Sequence, residues 1–346
     1  MESIASNSTS HRMNPPLKLG FDNYALRSLD WKAPRLLDHA AGLALDSVLF
    51  SDLNVFEYDS TDYLADLRAQ AISLGLEIQV GTLSICPSSA LWNDQHGSPT
   101  DLLTKTIEIA RALGSPVARC VLGNVQDRQS PGGIEARISE TAEILKTVRT
   151  IAIESGTQIA VENHAGDLQA RELVDLLDRA GPDFVGATVD SGNAPWALEH
   201  PQNNLEILGP RAVCSGIRDS ALWNTTDGAM LQWTAMGDGQ VDFVAYFKRF
   251  AELCPQTTIQ IETISGRPNP IPFRQSGFWK AYPGALAEDS VGFFDLVHNG
   301  TPRQPVVFPE TESGRSSEQQ FQLSELERSV RYCRETLGLG VQGRQT

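Results

Sequence analysis

Three acidic residues, Glu162, Asp190 and Glu262, end short apolar runs that lie far apart in the chain. Each run predicts a β-strand, because apolar runs of four to eight residues are typical of buried strands. Side chains alternate between the two faces of a strand, so each acid lies on the face opposite its apolar neighbours. If the three strands belong to one closed sheet, all three carboxylates point into its mouth. We call these three residues the acid triad.

The acid triad is the predicted metal site. Three carboxylates that converge in a poorly hydrated mouth repel one another, and burial raises that cost. A divalent cation removes the repulsion, and oxygen donors suit Mg²⁺, Mn²⁺ or Co²⁺ better than a structural zinc ion. The alternative is that each acid pairs with an arginine or lysine nearby.

One further strand end brings Arg218 to the same mouth, and His164 follows Glu162 at the end of the same predicted strand. Arg218 is predicted to bind a substrate carbonyl, enolate or carboxylate, because its fixed fork of donors suits oxygen atoms. A structural pair with Asp190 or Asp219 is the alternative. His164 is a candidate catalytic residue, as a proton shuttle, a metal ligand or a support for a ligand. The alternative is a histidine that only completes local hydrogen bonding.

Asn193, Asp167 and Trp196 complete the predicted substrate-binding set with Arg218. Asp167 either reaches the mouth or caps the helix that begins near Leu168, and the cap is the simpler explanation. Trp196 lies in a loop at the same end of the strands, where it forms an aromatic wall for a sugar ring or packs within its loop.

Eight apolar runs alternate with stretches of helical periodicity, which predicts an α/β fold with a parallel sheet. The predicted strands are Leu17–Tyr24, Asp46–Leu53, Glu77–Ser84, Val117–Leu122, Gln158–His164, Val185–Asp190, Val213–Asp219 and Thr258–Ile264. Eight strand–helix repeats favour a (β/α)8 TIM barrel, whose active site lies at the carboxyl ends of its strands. An open doubly wound sheet is the alternative, but no Gly-x-Gly-x-x-Gly follows the first run.

Composition divides the chain into four parts. They are a disordered arm (1–16), the barrel (17–300), a mobile linker rich in Pro, Ser and Glu (301–319), and an extra C-terminal helix with its tail (320–346). Ser324 is the predicted cap of the last helix. Its apolar stripe should dock on the barrel exterior or on a second subunit of a homo-oligomer. Within the barrel, residues 219–239 are predicted to form a long loop that acts as a lid or wall.

The charge and cysteine content exclude several classes of protein. Lys and Arg number 28 against 43 Asp and Glu, which gives a net charge of −15 and argues against a nucleic-acid partner. Five scattered cysteines without a Cys-x-x-Cys pair predict reduced thiols. No window approaches the roughly 20 apolar residues of a membrane span, and residues 1–16 lack the apolar core of a signal peptide. We expect a cytoplasmic chain that acts on a small-molecule substrate, without a membrane partner.

The order and spacing of the strand ends resemble the xylose isomerase-like TIM barrel superfamily, which includes sugar isomerases and epimerases. The resembling segments are Val161-Glu162-Asn163-His164 with Gly166-Asp167, Val189-Asp190-Ser191-Gly192-Asn193, Ile261-Glu262 and Met236-Gly237-Asp238-Gly239-x-Val241-Asp242-Phe243. The resemblance implies that the acid triad binds a divalent metal ion. It also implies a fourth ligand, a histidine, where this chain has Gly216. The departure leaves four alternatives: a site completed by water, recruitment of His164, a weak metal site, or no metal.

The predicted activity is that of a metal-dependent isomerase or epimerase acting on a sugar or polyol-like hydroxy-carbonyl substrate. Proton abstraction next to the carbonyl would use Glu162 or Glu262 as base, on opposite sides of the mouth. The alternative is a lyase, similar to 3-dehydroshikimate dehydratase or a keto-glycoside β-eliminating enzyme. The endonuclease branch needs a histidine-rich zinc cluster and a basic DNA face, which this acidic chain lacks. A barrel that binds a ligand without turnover is a further alternative.

Overall fold

The computed structural model describes residues 17–342, so the predicted disordered arm, residues 1–16, lies outside the described residues. Within this range the chain forms eleven strands: β1 (Leu19–Asp22), β2 (Ser47–Phe50), β3 (Glu77–Ser84), β4 (Val117–Val121), β5 (Gln158–Glu162), β6 (Val185–Asp190), β7 (Ala212–Gly216), β8 (Asp219–Asn224), β9 (Ala229–Thr234), β10 (Ile259–Ile261) and β11 (Pro268–Ile271). Every strand predicted from an apolar run overlaps an observed one.

Eight parallel strands form the barrel, in the order β10-β1-β2-β3-β4-β5-β6-β7. The barrel closes just beyond β7, where Ile217 pairs with Ile261. The N–H of Ile217 donates to the carbonyl of Gln260 at 2.8 Å, and its carbonyl accepts from the N–H of Glu262 at 3.0 Å. The predicted (β/α)8 barrel is therefore confirmed, and its closing bridge holds Glu262 beside the residues that follow β7.

Ten α-helices accompany these strands in the described chain: α1 (Ala33–Gly42), α2 (Thr61–Leu74), α3 (Pro99–Leu113), α4 (Gly133–Thr147), α5 (Arg149–Ser155), α6 (Ala170–Ala180), α7 (Pro201–Leu208), α8 (Phe243–Leu253), α9 (Ala287–Asn299) and α10 (Glu312–Glu335). Helix α3 shows how the sequence sets such bounds. Ser98 and Asp101 form a capping box at its start, and Gly114 ends it in the left-handed region at φ 75°. None of the described helices is long and apolar enough to cross a membrane.

Helix α10 takes the place of the eighth helix of the barrel. It follows the last barrel strand, and its buried Leu326, Val330 and Cys333 belong to the same core as the barrel strands. Its apolar stripe thus docks on the barrel, the first of the two surfaces that the sequence left open. The helix begins at Glu312, inside the segment predicted as a linker, and Thr311 rather than Ser324 is its cap. Both predictions were wrong because the polar first turns of α10 carry no apolar periodicity.

A small antiparallel sheet lies beside the barrel, in the order β11-β9-β8. Strands β8 and β9 form a hairpin where the sequence predicted a long loop, so that prediction was wrong. The hairpin packs against α9 through a second core that includes Leu222, Leu231, Trp233 and Phe293. This second core fixes Trp233 next to the barrel mouth.

Candidate active site

Six charged side chains converge at the carboxyl ends of the barrel strands. They are Asp22, Arg119, Glu162, Asp190, Arg218 and Glu262, and we call them the charged cluster. None of the six is more than 6% exposed. Ionised side chains are rarely so buried unless they are paired, so the arrangement of these charges needs a specific explanation.

The acid triad lies together, as the strand alternation predicts. One carboxylate oxygen of each residue lies within 4.8 Å of the other two. Glu162 ends β5 and Asp190 ends the neighbouring β6, while the closing bridge of the barrel brings Glu262 to them. Three strand ends therefore deliver three carboxylates to one centre.

Arg218 lies at that same centre. Its guanidinium hydrogen-bonds to Asp190, and its Nη2 lies 2.8 Å from Glu262 Oε2 and 4.0 Å from Glu162 Oε1. The guanidinium also stacks on the ring of Trp233, with its Cζ 4.3 Å from the ring centroid. The structure thus contains the alternative pair with Asp190, and the substrate-binding role of Arg218 stays a prediction.

Arg119 holds Glu162 from the other side. Its Nε and Nη2 lie 2.7 Å and 2.6 Å from Glu162 Oε2, and its Nη1 donates to the carbonyl of Thr82 at 3.0 Å. Asn193 Nδ2 donates to the second oxygen of Glu162 at 3.1 Å. Both oxygens of this glutamate therefore accept hydrogen bonds, and the predicted substrate contact Asn193 is instead a direct neighbour of a predicted ligand.

Asp22 is the fourth buried carboxylate, at the end of β1. Its Oδ1 accepts from Ser51 Oγ at 2.5 Å and from the Tyr24 N–H at 2.8 Å. Neither Asp22 nor Arg119 was predicted from the sequence. The signal was present, because both occupy positions on a barrel strand where alternation turns the side chain inward.

When all its carboxyl groups are ionised, the charged cluster carries an excess of two negative charges, because four carboxylates face two guanidinium groups. Burial raises the pKa of Asp190 to about 7, although Arg218 lowers it. Burial, followed by the charge of Glu262, also raises the pKa of Asp22 to about 7. Burial raises the pKa of Glu162 against the opposing effect of Arg119. Burial is the largest cause of all three raised pKa values, and the two arginines oppose it.

The site suits a hard divalent cation in its donors and in its charge. Carboxylate oxygens are the ligands that such ions prefer, and the excess of two negative charges matches one divalent ion. Within the described chain the buried Oδ1 of Asn193, next to Glu162, has no hydrogen-bond partner. A histidine does not fit at position 216 as the site stands, since a Cβ there would lie 2.7 Å from Asp190 Oδ2. The acid triad is therefore consistent with a divalent metal ion, without the family's histidine.

His164 and Asp167 form a brace between two loops. His164 Nδ1 lies 2.7 Å from the carbonyl of Gly123, so the neutral ring carries its proton on Nδ1 and a lone pair on Nε2. Burial and the charge of Arg119 lower the pKa of His164 to about 4, so the ring is neutral at neutral pH. Asp167 is fully buried and accepts from the backbone N–H groups of Gly123, His164 and Leu168. It supports the loops through these bonds, and its contact with substrate stays a prediction.

Two tryptophans line one side of the site. Trp233 Nε1 donates to the carbonyl of Gly192 at 2.7 Å, which fixes the ring under Arg218. Trp196 meets that ring edge to face at 5.4 Å. Trp196 thus packs against Trp233, which contacts the charged cluster through Arg218, and the aromatic wall for a sugar ring stays a prediction.

Replacing Asp22 with asparagine tests the pKa of this carboxyl group. The pKa of Asp22 is about 7 in the folded chain and 3.8 as its ordinary value. At pH values between these two, the folded chain keeps the proton of Asp22 and the unfolded chain releases it. The wild-type chain therefore loses stability relative to Asp22→Asn as the pH rises through that window. The free energy of unfolding of metal-free Asp22→Asn, taken relative to the wild type, should therefore rise by more than about 1 kcal/mol from about pH 5 to about pH 7.5. Urea unfolding at both pH values measures this, and a pH-independent difference would contradict it.

Comparison with known proteins places the chain in a family. The model of the family described as xylose isomerase-like TIM barrel matches residues 37–288. The chain therefore belongs to the xylose isomerase-like TIM barrel family, as its strand ends indicate.

Individual relatives differ in their activities. A 3-oxo-isoapionate decarboxylase of Pectobacterium atrosepticum is 24% identical over 241 residues, which cover 66% of this chain and 79% of the relative. The structure of a D-psicose 3-epimerase has a TM-score of 0.60 at 13% identity and covers 93% of this chain and 100% of its own. A xylose isomerase-like TIM barrel protein from Mycobacterium smegmatis in complex with magnesium has a TM-score of 0.53 at 13% identity, with 91% and 98% covered. The two structures show that the fold is shared.

Proposed function

We propose that the chain is a divalent-metal-dependent enzyme that converts a polyhydroxylated carbonyl compound through an enolate. The acid triad would hold the metal ion. A divalent cation bound there supplies Lewis-acid stabilisation for negative charge that develops on a carbonyl oxygen. Enolate formation is common to isomerisation, epimerisation and the loss of CO2 from a carboxyl group that is attached to the carbon next to a carbonyl. The residues around the acid triad favour one of these three reactions over the others.

The pairing of the two glutamates favours decarboxylation of a 3-oxo sugar acid. Glu162 is held by Arg119, and Glu262 is paired with Arg218 in the metal-free chain. In the loaded enzyme both glutamates would be metal ligands, so neither carboxylate is free to remove a proton from carbon. Decarboxylation needs no such base. The bond between carbon and the carboxylate breaks, its electron pair forms the enolate, CO2 leaves, and the carbon then takes a proton. This pairing is the observation that carries the proposal, and the 24% identical decarboxylase supports it.

The residues around the metal site would then divide the work. Arg218 would bind a substrate carboxylate or enolate oxygen through its fork of donors. In the described chain neither Asp22 nor His164 forms an ion pair, so these two groups remain to exchange protons with the substrate. The edge-to-face pair of Trp196 and Trp233 would exclude water from one side of the reacting carbon.

Isomerisation or epimerisation of a sugar is the second candidate, and the epimerase structures with the same fold support it. It needs a base within reach of a carbon-bound proton. Because the oxygens of Glu162 and Glu262 lie within 4.8 Å of each other and both are paired, Asp22 or His164 would serve better. This candidate thus moves the base from the glutamates named from the sequence to residues outside the acid triad.

Two assays separate these outcomes. The full chain, loaded with Mg²⁺ or Mn²⁺, is incubated with 3-oxo sugar acids while CO2 release is measured, and with ketoses in D2O while NMR follows deuterium entry at carbon. We expect metal-dependent CO2 release that EDTA abolishes. Deuterium entry into a ketose without CO2 release would favour the second candidate. The absence of both reactions across these substrates would contradict the proposed function.

A further inference from the structure

We infer that the guanidinium of Arg218 is an exchangeable occupant of the proposed metal site: it neutralises the acid triad when no metal is bound, and an arriving divalent cation displaces it. This inference rests on the proposed metal dependence. It makes Arg218 a determinant of metal affinity as well as a contact for substrate.

The position of the guanidinium is the first observation. Its Nη2 contacts Asp190, lies 2.8 Å from Glu262 and is 4.0 Å from Glu162, so one atom reaches all three members of the acid triad. These are the oxygens that a metal ion would need. The arginine and the ion therefore compete for the same donors, and both cannot keep all three contacts.

The anchoring of the two arginines is the second observation. Arg119 is tied to the backbone by its bond to the Thr82 carbonyl, so it stays on Glu162. In the described chain the hydrogen bonds and ion pairs of the Arg218 guanidinium all go to the acid triad. Its other contact is the face of Trp233, which constrains a cation less than a hydrogen bond to the backbone does. Arg218 can thus leave the centre without breaking a backbone contact, whereas Arg119 cannot.

Two glycines make room for this arrangement. A Cβ at Gly192 would lie 2.8 Å from the Cδ and 2.9 Å from the Cγ of Arg218. A Cβ at Gly216 would lie 2.7 Å from Asp190 Oδ2, where that carboxylate meets the guanidinium. Gly216, at the position where the resemblance implies a histidine ligand, has no side chain, and Arg218 places its guanidinium at the acid triad instead.

Magnesium binding by the full-length, metal-free chain tests the exchange. Isothermal titration with Mg²⁺ compares the wild type with Arg218→Met and Arg218→Lys. Arg218→Met removes a positive charge that lies within about 4 Å of the acid triad and repels Mg²⁺. Its loss should strengthen Mg²⁺ binding by about tenfold or more, even at an effective dielectric constant of about 20. Arg218→Lys keeps the charge and should bind close to wild type. Arg128→Met is the matched control, because Arg128 is equally buried but pairs with Glu172, and it should leave the affinity unchanged.

Tryptophan fluorescence gives a second measurement that does not depend on an Arg218 variant. Displacement of the guanidinium from the ring of Trp233 should change the emission of the wild type on Mg²⁺ addition, and Trp233→Phe should lack that change. Equal or weaker Mg²⁺ binding by a folded Arg218→Met chain overturns the inference while the metal site stands. The lack of a Trp233-dependent change at saturation overturns it as well.

The two remaining outcomes overturn this inference together with the proposed metal dependence. If Arg218→Met binds Mg²⁺ and the wild type does not, the guanidinium blocks the acid triad without being displaced, which overturns both the exchange and the metal dependence of the wild type. If no folded variant binds Mg²⁺, both are overturned.

Discussion

Replacing Glu262 with glutamine is expected to remove the bound metal ion and lower turnover by more than about 100-fold, since loss of an outer-shell partner alone costs about 10–100-fold. Glutamine has almost the same shape but no charge. The centre would lose one of three anionic donors, while Arg218 would keep its bonds to Asp190 and compete more effectively with the metal. Elemental analysis of dialysed protein measures the metal content, and CO2 release measures turnover.

Glu108→Gln is the control for this prediction. Glu108 is an exposed glutamate of helix α3, so its replacement should change neither metal content nor turnover. Unchanged metal content in Glu262→Gln would remove Glu262 from the metal site and, with it, the main support for a metal-dependent activity.

Replacing Arg119 with methionine is expected to destabilise the metal-free chain by about 3–5 kcal/mol, because the carboxylate of Glu162 would stay buried without this positive partner. Glu162 is 2% exposed and takes two of its hydrogen bonds from Arg119. The charged cluster would then hold a single guanidinium against four carboxylates. Urea unfolding of the metal-free protein at neutral pH measures the change in free energy.

A surface ion pair provides the matched comparison. Arg149 pairs with Asp183, and both side chains are about half exposed to solvent. Arg149→Met should therefore cost less than about 1 kcal/mol. If Arg119→Met and Arg149→Met lower the free energy of unfolding by similar amounts, the buried pair of Arg119 and Glu162 is not what stabilises the barrel mouth.

The inward acids could be predicted because each one follows from a local rule. An acid at the end of an apolar run, on the face opposite its apolar neighbours, points into the barrel wherever the other strands lie. Glu162, Asp190 and Glu262 all obey that rule, and the structure brings them to one centre. The roles assigned to them stay predictions.

The partners of these acids could not be predicted in the same way. Arg119 lies level with Ala160 of the neighbouring strand, one layer below Glu162, and its long side chain spans the difference. Periodicity marks such a residue as inward-facing but does not say which acid it reaches, because that depends on strand register and side-chain length.

Helix α10 and the β8–β9 hairpin show the same limit at a larger scale. The sequence predicted a long loop and a terminal helix that docks on the barrel exterior or on a second subunit. In the structure the helix completes the barrel core and the loop is a paired hairpin. The docking of α10 and the pairing of β8 with β9 depend on tertiary contacts, which the periodicity of a local stretch of sequence does not predict.

The eight strands and the inward direction of the acids follow from local sequence, because strand formation and side-chain alternation are properties of neighbouring residues. The assembled barrel sets two further features: two buried arginines share those carboxylates, and one of the arginines reaches all three members of the acid triad. Ion pairing between distant strands depends on distances of a few ångströms, and these are set by the closure and register of the whole barrel.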